Sequence, residues 1–272
     1  MTALGLSLTD ETNGATIDEL VERCRAEGVD FVELPAGPLE RAIGAPVPTV
    51  ALEPPPENGI ELGLLELEEE VLQDSYELAR ATFDAQLREW RRATSLAPAG
   101  AIRRSWEAAG RPIRFVAWAG LDRLSDIEVD YACRFAAALG AGAIVSDLPS
   151  AAAVRLASMR CRVPIAVRNA PTLGPLDLDL LLTRGPALAA ALDLTTWLDG
   201  RHGDPLPFIE EHAGSIAQLR LAARGIAAAP FGEHTVAVGA CLAGLRTAGL
   251  DLPVVVEADS ALRAAALAWL RG

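Results

Sequence analysis

Short apolar runs alternate along the chain with longer segments whose apolar residues recur every three or four positions. This is the pattern of strands that are each followed by a crossover helix. Ala3 to Leu8 is the first run. Thr16 and Glu19 have capping-box spacing, in which each side chain can satisfy the other's backbone N–H, and the helix they open is predicted to stop at Gly28. Phe31 to Leu34 is the second run, closed by Pro35. From residue 113 the rhythm is regular. Ile113 to Trp118, Ala143 to Asp147, Val163 to Asn169, Leu188 to Leu194, Ile216 to Leu221 and Pro253 to Glu257 read as strands. Between them helices are predicted from a second capping box, Ser125 and Glu128, then from Ser150, through Leu182, and near 205–213, 235–248 and 260–271. Residues 47–110 break the period. Val47 to Glu53 and Ile60 to Glu66 look like two strands around a Pro-Pro-Pro-Glu-Asn-Gly turn, and 66–110 is long, helical and charged. With 47–110 set aside as an insertion before the third barrel strand, eight strands remain. The expectation is an α/β protein, a single (β/α)8 TIM-barrel domain over 1–272. An open doubly wound sheet is the alternative, but no GxGxxG fingerprint follows the first strand.

Composition narrows the classes. With 51% hydrophobic and 22% charged residues the chain can bury a large core. No apolar run is long enough for a membrane span, and the N-terminus has neither a basic region nor a cleavage site, so a cytoplasmic protein with no membrane partner is expected. The formal charge of -13 argues against nucleic acid. Acids crowd the first 75 residues, where 17 of them face only Arg23, Arg25 and Arg41. The run Glu66, Glu68, Glu69, Glu70 reads as a solvated helix start. All 24 bases are arginine, so Schiff-base chemistry, a pyridoxal phosphate anchor and a P-loop lysine are excluded. Four separated cysteines without a CxxC are expected to be free thiols, and the 3 histidines form no clustered metal pattern.

Several short segments then carry a resemblance: Gly28-Val29-Asp30-Phe31-Val32-Glu33-Leu34, Ala138-Leu139-Gly140-Ala141, Leu192-Asp193-Leu194, Ile216-Ala217-Gln218-Leu219-Arg220-Leu221, Phe231-Gly232-Glu233 and Val254-Val255-Val256-Glu257. In this order the chain resembles the xylose isomerase-like barrels, which include sugar and sugar-phosphate isomerases and epimerases and endonuclease IV. The resemblance implies a divalent metal at the C-terminal mouth, held by Glu, Asp, His and Glu from four late strands. Those positions fall on Arg168, Asp193, Arg220 and Glu257. A guanidinium has no free lone pair and cannot ligate a metal, so no catalytic metal and no cofactor is expected. Two readings stay open. Arg168–Asp193 and Arg220–Glu257 pairs can simply fill a vacated metal site, or the arginines can hold an anionic or enolate-like oxygen while Glu257 or Asp193 works as acid or base.

Around these four catalytic candidates, further residues near strand ends or in mouth-side loops are substrate-binding candidates: Glu33, Asp147 and Asn169, the aromatic walls Trp118 and Trp197, and the loop histidines His202 and His234. The expected activity is a metal-independent isomerase, epimerase or lyase/cyclase on a small oxygen-rich metabolite, of the kind found in a specialised biosynthetic pathway. The alternatives are a non-catalytic ligand- or partner-binding barrel and a metal-dependent sugar isomerase with shifted ligands. A homo-oligomer is left open.

Overall fold

The fold was obtained as a computed structural model, which describes residues 3–8, 16–48, 66–148, 150–157, 159, 161–170, 173–185 and 187–272. Eight strands, β1 (Leu4–Ser7), β2 (Phe31–Pro35), β3 (Ile113–Ala117), β4 (Ala143–Ser146), β5 (Ile165–Arg168), β6 (Leu188–Asp193), β7 (Ile216–Ala223) and β8 (Val254–Ala258), form a closed barrel in chain order. Every neighbouring pair is parallel, and Gly5 on β1 meets both Phe31 and Val255, which closes the sheet. The helices are α1 (Ile17–Glu27), α2 (Ala36–Ala42), α3 (Glu66–Ala93), α4 (Ala97–Ala108), α5 (Asp126–Ala138), α6 (Ser150–Ala157), α7 (Pro175–Leu182), α8 (Leu194–Asp199), α9 (Leu206–His212), α10 (Thr235–Thr247) and α11 (Ser260–Arg271). Both predicted capping boxes form, at Thr16–Glu19 and Ser125–Glu128, and Gly28 ends α1 at φ 65, a left-handed conformation that costs glycine nothing.

The chain divides into two compact units, one of residues 1–39 with 96–272 and the other of residues 40–95. The first is the barrel. It includes α4, which packs on β3 and α5. The non-barrel segment therefore runs 40–95, where the sequence pattern placed it at 47–110. In the second unit Arg91 donates Nε and Nη2 to Glu40 Oε1 and Oε2 at 2.8 and 3.0 Å, both residues nearly buried. Such a paired fork leaves a costly lone charge if either partner is removed. The expected strands Val47 to Glu53 and Ile60 to Glu66 fall largely on 49–65, outside the described residues. Among the described residues no helix is long and apolar enough to cross a membrane.

Side chains alternate across a strand, so every second residue of each barrel strand points inward. The lower interior is lined by small residues, among them Ala143, Ala166, Ala189 and Ala191, and the space is filled by Phe31 and Phe115, edge to face at 5.7 Å. Gly5 leaves the room for this: a Cβ there would lie 2.1 Å from the Phe31 ring. Two residues further along the same strands the inward positions become polar, and that change of layer builds the site described below.

One cysteine expectation is corrected. Cys133 on α5 and Cys161, just before β5, form a disulfide with Cα atoms 5.6 Å apart. Their separation of 28 residues hides the pairing in sequence, because the intervening β4 and α6 bring the chain back beside α5. Cys24 and Cys241 are free and buried, and burial pushes both thiols up to about 12. Closing a loop of this length constrains the unfolded chain by about 3–4 kcal/mol. Cys161→Ser is accordingly expected to lower the free energy of unfolding in urea by about that amount, and dithiothreitol should reproduce the loss in the wild type but add nothing in the variant. An unchanged urea midpoint under reduction would show that the bond carries no stability.

Candidate active site

The polar layer comes from the alternation itself. Ser7 lies two residues after Gly5, Glu33 two after Phe31, Arg168 two after Ala166, Asp193 two after Ala191, and Glu257 two after Val255. Each therefore points inward at the C-terminal end of its strand, where barrels carry their chemistry. Register does the rest, pairing Ser7 with Glu33 and Asp193 with Arg220 across neighbouring strands.

The inner part of the layer is closed to solvent. The Arg220 side chain is 3% exposed and uses its whole fork. Nε donates to Glu257 Oε2 at 2.7 Å, Nη2 to Ser7 Oγ at 3.2 Å, and Nη1 to Glu33 Oε1. Glu33 is fully buried and also accepts from Ser7 Oγ and Gln218 Nε2, each at 2.9 Å. Burial alone would push the Glu33 carboxyl up. Burial is the largest single effect, but the Arg220 charge together with hydrogen bonds from Arg220, Gln218 and Ser7 outweighs it and holds the group below its ordinary range. Burial likewise opposes the Arg220 charge, and Glu33 and Glu257 overcome it, so Arg220 is raised and stays a cation.

The outer part is partly open. Arg168, 21% exposed, donates Nη2 to Asp193 Oδ2 at 3.1 Å and to Glu257 Oε2 at 3.4 Å, and its Nε lies 3.9 Å from the exposed Asp147. Asp193 is fully buried with both oxygens engaged, since Oδ1 accepts from Thr195 Oγ1 at 2.6 Å and from the Thr196 N–H at 3.0 Å, capping α8. Glu257, 25% exposed, takes all its arginine contacts on Oε2. Among the described residues its Oε1 has no donor, and Arg168 keeps Nη1 free of any acceptor. These two atoms are the chemically open groups of the cluster.

The residues present do not fit the metal that the resemblance implies. Two of its four ligand positions are guanidinium groups, and the positive group lying between Asp193 and Glu257 is Arg168 Nη2.

The structure thus gathers Arg168, Asp193, Arg220, Glu257, Glu33 and Asp147 into one cluster. It places the other candidates elsewhere. Asn169 stitches the ends of β5 and β6 together, accepting from the Asp193 N–H at 2.6 Å and donating to its carbonyl at 3.0 Å, with 3% exposure. Trp118 and Trp197 do not wall the mouth. Trp118 packs edge-on against Tyr131 and Phe135 of α5, and Trp197 is buried beside Phe208 with its Nε1 donating to the Gly203 carbonyl. Trp118 follows the last inward residue of β3, which turns it away from the barrel interior, and Trp197 lies on α8, four residues beyond Asp193. His202 lies edge-on to the Trp197 ring, and His234 Nε2 lies 2.7 Å from Asp199 Oδ1, so the histidines belong to the loops. Ser7 and Gln218 were missed in the sequence. The period of two was the available signal, since Gln218 precedes Arg220 by two positions on β7.

No protein family matches the chain by sequence, and no curated protein does. Solved structures do match in shape. An AP endonuclease of family 2 from Brucella melitensis is 14% identical with a TM-score of 0.60, covering 100% of this chain and 98% of that one. The 3-keto-D-glucoside 4-epimerase of E. coli is 11% identical with a TM-score of 0.61, covering 100% and 99%. A xylose isomerase domain protein from Planctomyces limnophilus is 13% identical with a TM-score of 0.56, covering 99% and 94%.

The Arg220–Glu33 pair has a consequence for pH. Glu33 is held below its ordinary value of about 4.5, so its contribution is complete above that pH and is lost as the pH falls through the lowered folded-state value. Arg220→Met leaves Glu33 buried without a counter-charge and is expected to cost about 3–5 kcal/mol at neutral pH. In that variant burial raises the Glu33 carboxyl instead, so stability should increase as the pH falls from 7 to 5. Urea unfolding at the two pH values checks the reversal, and an unaltered slope would mean that Arg220 does not control Glu33. By its closed parallel barrel and these structural matches, the chain has a (β/α)8 barrel fold, the fold of the xylose isomerase domain protein and the AP endonuclease it is similar to.

Proposed function

We propose that the chain is a metal-independent isomerase or epimerase of a small, oxygen-rich α-hydroxycarbonyl compound. The observation that carries the reading is the open pair at the mouth: among the described residues, Glu257 Oε1 is a carboxylate oxygen without a donor, beside Arg168, the guanidinium of the cluster that keeps a donor free. Carboxylate and guanidinium are the two groups that enolisation requires. Glu257 Oε1 removes the proton from the carbon next to the carbonyl. The C–H electron pair becomes a carbon–carbon double bond, and the carbonyl π pair moves onto oxygen, where Arg168 N–H groups meet the developing charge. For the isomer, the proton of the adjacent hydroxyl passes to the former carbonyl oxygen, the carbonyl re-forms at the carbon that bore that hydroxyl, and the proton held by Glu257 goes to the former carbonyl carbon. For the epimer, a solvent proton adds to the opposite face of the original carbon, the carbonyl re-forms, and Glu257 releases its proton to solvent. Arg220 and Asp193 act as positioning residues. Arg220 fixes Glu257 through Oε2, and Asp193 holds Arg168.

The fold neighbours support the reaction class, since their names include a 3-keto-D-glucoside 4-epimerase, a sugar phosphate isomerase/epimerase and a D-psicose 3-epimerase. One observation favours a second reading: Arg220 spends every donor inside the protein, as it would in a barrel whose mouth is only a structural plug.

Deuterium incorporation separates the two. Aldoses and ketoses incubated with the protein in heavy water should exchange the proton next to the carbonyl, seen by proton NMR, and exchange should continue in excess chelator. Glu257→Gln should slow exchange by about 10²–10⁴-fold with an unchanged melting temperature. If no sugar exchanges and Glu257→Gln changes only the melting temperature, the plug reading holds. Loss of exchange in chelator would overturn the metal-free assignment.

A further inference from the structure

The charge around the open pair carries the proposed function further, to the class of substrate, and the inference rests on Glu257 and Arg168 forming the substrate site. The cluster holds Glu33, Asp193 and Glu257 against Arg168 and Arg220, which leaves one negative charge in excess. Arg220 faces none of it outward, because its fork is consumed by Glu33, Glu257 and Ser7. Among the described residues of the cluster, Arg168 is the cation that is partly exposed, and the strongly exposed Asp147 carboxylate stands beside it. Elsewhere on this face the connections after β6, β7 and β8 carry Asp199, Asp204, Glu233 and Asp259 against Arg201 and Arg224.

Two of the places where a barrel can take a phosphate are also filled. Barrel phosphate sites use the loops after the late strands and the free N–H groups of a helix start. Here Asp259 caps α11, accepting from the Leu262 N–H at 2.8 Å, and Asp193 caps α8 through Thr196. A phosphate placed at either of these two helix starts would face like charge, while α10, after β7, starts at His234 without a side-chain cap.

We infer that the site selects a polyhydroxy substrate bearing a protonated amine and discriminates against phosphate esters. Hydroxyl groups meet Glu257 and Arg168, and the ammonium sits in the field of Asp147 and the acids of the surrounding turns. The field acts at long range in low salt and is screened at high ionic strength.

The test needs no turnover. Ala170 is exposed, two residues beyond Arg168, and both free cysteines are buried, so Ala170→Cys provides a reporter thiol on a quiet background. Its labelling by a trimethylammonium methanethiosulfonate and by a sulfonate methanethiosulfonate is compared, each normalised to a small free thiol. The expected result is at least about a tenfold preference for the cationic reagent in low salt. The preference should collapse in 1 M salt and shrink when Asp147→Asn is added. At constant ionic strength, D-glucosamine should slow labelling more than D-glucose 6-phosphate. A preference for the anionic reagent, or stronger protection by the phosphate ester, overturns the inference. A cation preference accompanied by no deuterium exchange on any sugar overturns the isomerase reading beneath it.

Discussion

The mouth of the barrel is organised by one buried guanidinium. Arg220 joins Ser7 of β1, Glu33 of β2 and Glu257 of β8, so it ties the closing seam of the sheet to the strand on either side of it. Taking such charges out of water costs several kcal/mol each, and the return comes only if the geometry is good and every donor is used. Both conditions are met, and Gln218 and Ser7 saturate Glu33 further. A network of this kind adds less to stability than to position. It holds Glu257 through Oε2 and, among the described residues, leaves Oε1 without a donor.

A second consequence concerns what a cation does in this place. A divalent ion draws its ligands toward a point and offers open coordination positions. A guanidinium is planar, directs its hydrogen bonds along its edges and cannot exchange ligands. Arg168 therefore holds Asp193 and Glu257 through Nη2, and Nη1 has no acceptor among the described residues. In the reaction proposed above, the guanidinium would supply the charge that meets an enolate oxygen but not the strong polarisation of a bound water or hydroxyl, which limits the proposal to proton transfer at an already acidic carbon.

The four central residues were legible because strand ends can be read from hydrophobic runs, and each of Arg168, Asp193, Arg220 and Glu257 closes such a run or lies within it. The pairing was only half legible. Glu33 and Arg220 are 187 residues apart, and nothing local says that β2 and β7 send side chains to a common layer. The helix α8 escaped notice because Leu-Thr-Thr-Trp-Leu-Asp is too short for a helical period and is set by the Asp193 cap. Trp118 was misplaced because a residue just past the last inward position turns outward and ends in the shell between strand and helix. Trp197 was misplaced with α8 itself, because it is part of that helix and not the end of β6. The Cys133–Cys161 bond and the limits of the 40–95 unit depend on which elements meet in space, and that information lies in packing.

Arg168 Nη2 lies between Asp193 and Glu257, where the resemblance places a metal. Crystals soaked in manganese and measured at the manganese absorption edge show which cation the two carboxylates hold. No anomalous peak is expected in the barrel mouth, with Arg168 Nη2 within hydrogen-bond distance of both carboxylates. A manganese peak bridging Asp193 and Glu257, with Arg168 swung aside, would contradict that arrangement.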